Sequence, residues 1–186
     1  MGLRKIIELV PPPQNPIHAA SASSWLEVQR RFDGALPACL DEYGRIYGSG
    51  YFESDDEFRL TFQIFNPHDP AYASNVESYC QIYKGLREDS PEFYPYSCFP
   101  EPGGLFPLGV TGGSTPCCPF YLLLTDDAEH YTVVFDDRIT GHIEFPDVAL
   151  FDFVEDVLCN RIPGNIPAMK NVFFVPQRLF FYRERA

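Results

Sequence analysis

Positive charge is scarce in this chain: 14 Lys and Arg stand against 26 Asp and Glu in 186 residues, a formal net charge of −12. Gripping a phosphate backbone requires a basic stripe, so the shortage argues against nucleic acid as a direct partner. Long apolar runs are missing too, and no segment reads as a membrane span. The first ten residues hold only Ile6, Ile7, Leu9 and Val10 around Glu8, after Arg4 and Lys5 and before Pro11-Pro12-Pro13. That is too little apolar length for a secretory signal, and the expected location is cytoplasmic. Cysteine is present, but in no Cys-x-x-Cys pair: Cys39, Cys80, Cys98, Cys117, Cys118 and Cys159 are scattered, which offers neither a zinc site nor a redox loop. Reduced thiols are the expectation, with Cys117-Cys118 inert at a strand start.

The usual signatures of chemistry are absent as well. His18, His68, His130 and His142 lack the spacing of metal ligands and read as surface or loop residues. Gly112-Gly113-Ser114 is followed by no Lys, so it reads as a flexible turn rather than a phosphate cradle. No Gly-x-Ser-x-Gly elbow presents a nucleophile. The carboxylate pairs Asp55-Asp56, Asp126-Asp127 and Asp136-Asp137 are sequence neighbours, and neighbours on a strand point to opposite faces and cannot share a proton. The expectation is a protein with no catalytic residue, no metal and no cofactor, hence not an enzyme.

What the chain has is core material, with 45% hydrophobic and 16% aromatic residues. That is enough for one globular domain of this length. Ser24 stands three residues before Glu27, the spacing of a capping box, and Trp25, Val28 and Phe32 then recur on one helical face until Gly34. Leu36, Leu40, Tyr43 and Tyr47 form the stripe of a second helix, with Pro37 in its first turn and Gly48 and Gly50 at its end. Tyr51-Phe52 starts a strand. Phe58, Leu60, Phe62 and Ile64 alternate with polar residues, the pattern of a strand covered on one face. Tyr72, Val76, Tyr79, Tyr83 and Leu86 predict a helix of about four turns, its tyrosines at the core edge. Residues 89–102 read as a loop with four prolines. Strands are predicted at Phe120–Thr125, Tyr131–Asp136 and Ile139–Phe145, the last two joined at Asp137-Arg138, and a closing helix buries Leu150, Phe153, Val154, Val157 and Leu158. The expected fold class is α+β: a single domain with a mostly antiparallel sheet of about six strands flanked by helices. Residues 1–161 form that domain, and 162–186 are an extension packed on it. Its apolar runs Val172–Val175 and Leu179–Tyr182 are expected to add strands or cover a sheet edge.

The Trp-led helix followed by a Leu-Pro helix ending in Tyr47-Gly48-Ser49-Gly50 resembles the SUKH superfamily, whose founding members include a fungal regulator of cell-wall synthesis. Two further segments carry the likeness. Pro100 to Thr111 is similar to the family's proline-rich loop leading through paired glycines into a strand, and Val148 to Leu158 is similar to its amphipathic closing helix. The chain departs from the family at Leu108, where many members have Trp, and at Gly112-Gly113-Ser114-Thr115, where many have an Asn-Gly-Asp turn. Bacterial SUKH proteins are largely immunity proteins of polymorphic toxin systems. The resemblance therefore implies a protein that binds and neutralises a cognate toxin domain; the alternative it implies is a regulatory protein-interaction module like the fungal founder.

Charge adds a direction to that implication. Nuclease-type toxins must be basic to hold nucleic acid, and an acidic inhibitor meets them with complementary potential. Acidic residues gather at Asp55, Asp56 and Glu57 and at Asp126, Asp127 and Glu129, both between predicted strands. These six are the candidate partner-binding residues. The expected partner is a protein, a basic toxin domain.

Overall fold

The computed structural model describes residues 2–19, 21–33, 36–55, 59–112, 117–125, 130–136, 138, 141–159, 161 and 180–184. Three helices come first, α1 (Gly2–Leu9), α2 (Ala22–Arg31) and α3 (Ala38–Ile46), then strands β1 (Gly50–Ser54) and β2 (Thr61–Ile64). A long helix α4 (Tyr72–Asp89) precedes four strands, β3 (Leu105–Gly112), β4 (Cys118–Leu124), β5 (Tyr131–Asp136) and β6 (His142–Phe145). Helix α5 (Leu150–Leu158) and strand β7 (Phe180–Glu184) complete the described chain. The class is α+β: the described residues form five helices and a seven-stranded antiparallel sheet in the order β6-β5-β4-β3-β2-β1-β7.

Strand direction gives the sheet two distinct ends. β1, β3 and β5 finish at what is called here the upper end, at Ser54, Gly112 and Asp136; β2, β4 and β6 finish at the lower end, at Ile64, Leu124 and Phe145. Phe120 and Tyr121 are consecutive on β4 and so face opposite sides. Phe120 stacks on Phe62 at 4.8 Å and meets Phe153 of α5 at 6.3 Å, while Tyr121 meets Tyr83 of α4 at 5.5 Å. Helices α5 and α4 therefore cover opposite faces. A file of rings from Tyr47 through Phe52 and Phe62 to Phe120 crosses the strands, each such pair adding about 0.5–1.5 kcal/mol beyond area burial. Pro107 is tolerated in the central strand β3 because the ladder breaks register between Pro107 and Gly109. Gly109 has to be glycine, since a Cβ there would lie 2.0 Å from the Gln63 carbonyl oxygen.

Several expectations shift at their boundaries. The capping box of α2 sits one turn earlier than predicted: Ser21 is the N-cap, its Oγ accepts from the Ser24 N–H at 3.2 Å, and Ser24 Oγ accepts from the Ser21 N–H at 3.0 Å. β2 starts at Thr61 rather than Phe58, because Arg59 has a positive φ of 43° and the Leu60 N–H is drawn to Ser54 Oγ at 2.8 Å. Phe58, Asp137, Val172–Val175 and Leu179 lie outside the described residues. Helix α1 has no counterpart in the sequence reading. It buries Leu3 and Ile6, packs on α5 with Gly2 against Phe151, and is held by Lys5 Nζ on Glu155 at 3.1 Å. The expected count of about six strands grows to seven because β7, from the C-terminal extension, pairs with β1 over five residues. Tyr182 anchors it against Tyr47 and Phe52 at 5.0 and 5.3 Å.

Candidate functional site

At the lower end a tight loop and a helix start make two neighbouring clefts. The loop is fixed by its own backbone: Leu105 N–H donates to the Ser97 carbonyl at 2.9 Å, Phe99 N–H to Leu105 at 3.0 Å, and Gly104 N–H to Glu101 at 2.9 Å. Gly103 adopts φ +67°, and a Cβ on Gly104 would come within 2.6 Å of the Cys98 carbonyl carbon, so the paired glycines are geometric requirements. Phe99–Gly104 with Leu124 and Thr125 line a cleft of about 360 Å³. Thr125 also borders a second cleft, of about 540 Å³, with Cys39, His130, Tyr131 and the start of α5 around Asp147 to Phe151. Helix α5 has no side-chain cap; instead the Leu150 N–H donates to Tyr131 Oη at 2.9 Å, which lies 3.7 Å from Cys39 Sγ. Thr125 Oγ1 donates to the His130 carbonyl at 2.7 Å across the β4–β5 connection.

The exposed charge lining these two clefts is acidic, although Glu101 also lines a third cleft, of about 350 Å³, with Lys84 and Arg87. Glu101 and Asp147 are exposed at the first two, and no Lys or Arg is among the described lining residues of that pair. Along the same end, α2 and α3 are fastened by polar bonds. His68, read from sequence as a surface or loop residue, is instead sequestered, its side chain 2% exposed. Its Nε2 lies 3.1 Å from Asp41 Oδ1 and its Nδ1 2.8 Å from Ser24 Oγ. Asp41 Oδ2 accepts from Arg45 Nε at 2.8 Å. Burial lowers the His68 pKa against the opposing pull of Asp41, so the ring is neutral at pH 7 and Nε2 carries the proton toward the carboxylate.

Ser24, His68 and Asp41 thus follow the hydrogen-bond order of a nucleophilic triad, but Ser24 Oγ is already engaged in the α2 cap by the Ser21 N–H and lies 2.8 Å from the Ser21 carbonyl. Chemically the arrangement is a cross-link between α2, α3 and the 66–69 turn. A second set of bonds continues it, with Ser49 Oγ donating to Asp69 Oδ2 at 2.8 Å and Asn66 Nδ2 to Ser49 Oγ at 3.1 Å.

The upper end is built differently. Asp136, the last residue of β5, is fully buried. Its Oδ1 accepts the Arg138 N–H at 3.0 Å and its Oδ2 faces Arg138 Nε at 3.4 Å. Tyr121 lies in the same cluster, its ionisation pushed up first by burial and then by Asp136.

Of the six candidate partner-binding residues, Asp55 is exposed just past β1 at the upper end. Asp56, Glu57, Asp126, Asp127 and Glu129 lie outside the described residues. The strand ends that lead to the two groups, Ser54 and Leu124, are at opposite ends of the sheet. Asp55 and the Thr125 clefts are therefore not brought together. Sequence reasoning missed Glu101 and Asp147 because each stands alone rather than in a charge run, and missed His68 although the prolines flanking it in Pro67-His68-Asp69-Pro70 signalled a rigid turn. Set beside family models, curated proteins and solved structures, the chain matches none.

Proposed function

We propose that this protein is an immunity protein of the SUKH type, which binds a basic, nuclease-type toxin domain of a polymorphic toxin system and blocks it by covering its surface, with no chemistry of its own. The observation that carries this reading is a pair of neighbouring acidic clefts at the lower end of the sheet. Two clefts meet at Thr125 there, Glu101 and Asp147 are exposed, and no basic side chain is among the described lining residues. In sequence, Asp126-Asp127-Ala128-Glu129 follows Thr125 directly and adds three carboxylates to that connection. An acidic surface beside concave apolar walls suits a partner that presents Lys or Arg around an apolar anchor. Complementary potential of this kind speeds encounter and weakens with salt. The net charge of −12 acts in the same sense at longer range.

The test is co-purification from the source lysate at low and at high salt, followed by co-expression with whatever basic domain is recovered. Stoichiometric capture of a toxic basic domain, lost at high salt and rendered harmless by co-expression, is the expected result. Recovery of housekeeping signalling proteins alone would overturn the immunity reading in favour of a regulatory interaction module.

A further inference from the structure

Helix α1 is short and amphipathic: Leu3 and Ile6 fall on one face, and Arg4 and Lys5 supply two of the chain's 14 positive charges. Arg4 pairs with Glu8 on the outer face at 3.1 Å, which leaves Lys5 to meet the rest of the fold. Eight residues are too few to hold a helix in water, so α1 exists because of what it lies on. It lies on one stripe of α5. Phe151, Glu155 and Leu158 are four and three residues apart and share a face, whereas Phe153 turns to Phe62, Phe120 and Phe145 at 6.5, 6.3 and 5.2 Å. Gly2 is set against Phe151, Lys5 Nζ lies 3.1 Å from Glu155 Oε2, and Leu3 and Ile6 are buried. We propose that this stripe of α5 is a docking surface for a basic amphipathic helix, that α1 is its resident occupant, and that a helix of the same chemistry on the partner displaces α1. The displacing helix rests on the immunity reading; the exchange of α1 does not.

The charges on α5 allow the exchange. Glu155 is nearly enclosed, its side chain 8% exposed, and a carboxylate in such a place is costly to leave unpaired. When Lys5 departs, however, Arg161 stays on the same carboxylate, and its Nε also holds Asp156 Oδ1 at 2.8 Å. Glu155 therefore keeps one cation while the place of the other passes from Lys5 to the incoming helix.

The backbone sets where α1 swings. Tyr47 Oη donates to the Val10 carbonyl at 2.7 Å, and Pro11-Pro12-Pro13 have no amide N–H with which to continue the helix. The pivot is thus Val10, and the free end is Gly2. Phe151, beneath Gly2, also lines the cleft of about 540 Å³ at Thr125. A partner engaged at that acidic cleft meets the free end of α1 first.

The experiment uses the full chain and, as its probe, a fluorescent peptide of residues 2–9. Hydrogen exchange of the wild type is read first, and the α1 amides should exchange about 100-fold or more faster than those of α3 and α4, because a local swing exposes them without global unfolding. Ile6→Asp should undock α1 from an otherwise folded chain. That variant should bind the peptide by fluorescence anisotropy, and the wild type, its surface already filled, should bind it about tenfold or more weakly. A peptide carrying Lys5→Glu should bind the variant about tenfold more weakly than the native peptide. Wild-type α1 amides as protected as those of α3 and α4, equal peptide affinity of wild type and variant, or equal affinity of the two peptides would each overturn the proposal. So would a concentration-dependent dimer formed by exchange of α1, since a second copy would then be the occupant. Should Ile6→Asp fail to fold, the wild-type hydrogen exchange alone decides. No toxin enters these measurements, so their failure is distinct from a failure of the lysate capture.

Discussion

At the upper end of the sheet Asp136 is fully enclosed, accepts the Arg138 N–H and faces its guanidinium at 3.4 Å, whereas at the lower end Glu101 and Asp147 stand in solvent beside two clefts with no Lys or Arg in their described lining. The same residue types thus serve different ends within one domain. A carboxylate neutralised internally contributes to the fold and offers little to an approaching cation. One left in solvent contributes little to the fold, and its field extends outward to about a Debye length. Net charge alone does not distinguish the two, and the comparison narrows the surface on which a basic partner would be sought.

The largest effect expected is at the upper end. Removing Asp136 as Asp136→Ala leaves Arg138, itself only 24% exposed, without its ion-pair partner and should destabilise the fold by about 3–5 kcal/mol in urea titration. Asp147→Asn, which removes the charge but keeps a residue type that tolerates the left-handed φ of 58°, should change stability by no more than about 0.5 kcal/mol at this exposed position. A cost below about 1 kcal/mol for Asp136→Ala would break the contrast, because the buried charge would then not be part of what holds the hairpin. Next in size is the lower-end cross-link. His68→Phe keeps the ring volume but leaves Asp41 and Ser24 short of a partner, at an expected cost of about 1–3 kcal/mol by the same titration. Smaller again is binding. The double charge reversal E101K/D147K should weaken a basic partner about tenfold at low salt, and Asp55→Lys, at the opposite end, by less than about twofold, measured by calorimetry. Equal losses from both would show that the two ends act as one surface.

Much of this architecture can be read in the sequence. The stripes Leu36-Leu40-Tyr43-Tyr47 and Tyr72-Val76-Tyr83 are buried as helical periodicity predicts, and Leu60, Phe62 and Ile64 are buried as strand alternation predicts. Periodicity works there because each segment is long enough to expose its repeat. Helix α1 escaped because eight residues before three prolines give two turns of pattern, and its stability comes from packing on α5 rather than from propensity. The site was less legible for a different reason. Charge runs are visible in one dimension, but the relation between loops is set by strand direction, which placed Asp55 and Thr125 at opposite ends. His68 and Asp41 are 27 residues apart, and only the fold makes them neighbours.

The smallest effect is also the one whose sign is most exposed to test. Asp41 fixes the His68 proton on Nε2, so Nδ1 is an acceptor beside Ser24 Oγ–H, a proton it shares with the Ser21 carbonyl. Protonating Nδ1 would turn that acceptor into a donor facing an oxygen already engaged by the Ser21 N–H. Burial works in the same direction and outweighs the attraction of Asp41, so the folded-state pKa lies below the model-peptide value of 6.5. In the unfolded chain the ring takes up a proton first. Stability from this group is therefore complete well above pH 6.5 and is lost as pH falls below it, at most about 0.7 kcal/mol between pH 7 and pH 6 for one histidine. Glu155 does not confuse that window: Arg161 and Lys5 lower its pKa, so it stays ionised throughout and its own contribution is lost only on further acidification. Urea titrations at pH 7 and pH 6 should thus show a decline in the wild type that is smaller in His68→Phe. An unchanged decline in the variant would assign the pH dependence to other histidines and leave the lower-end cross-link with no role as a neutral, buried bridge.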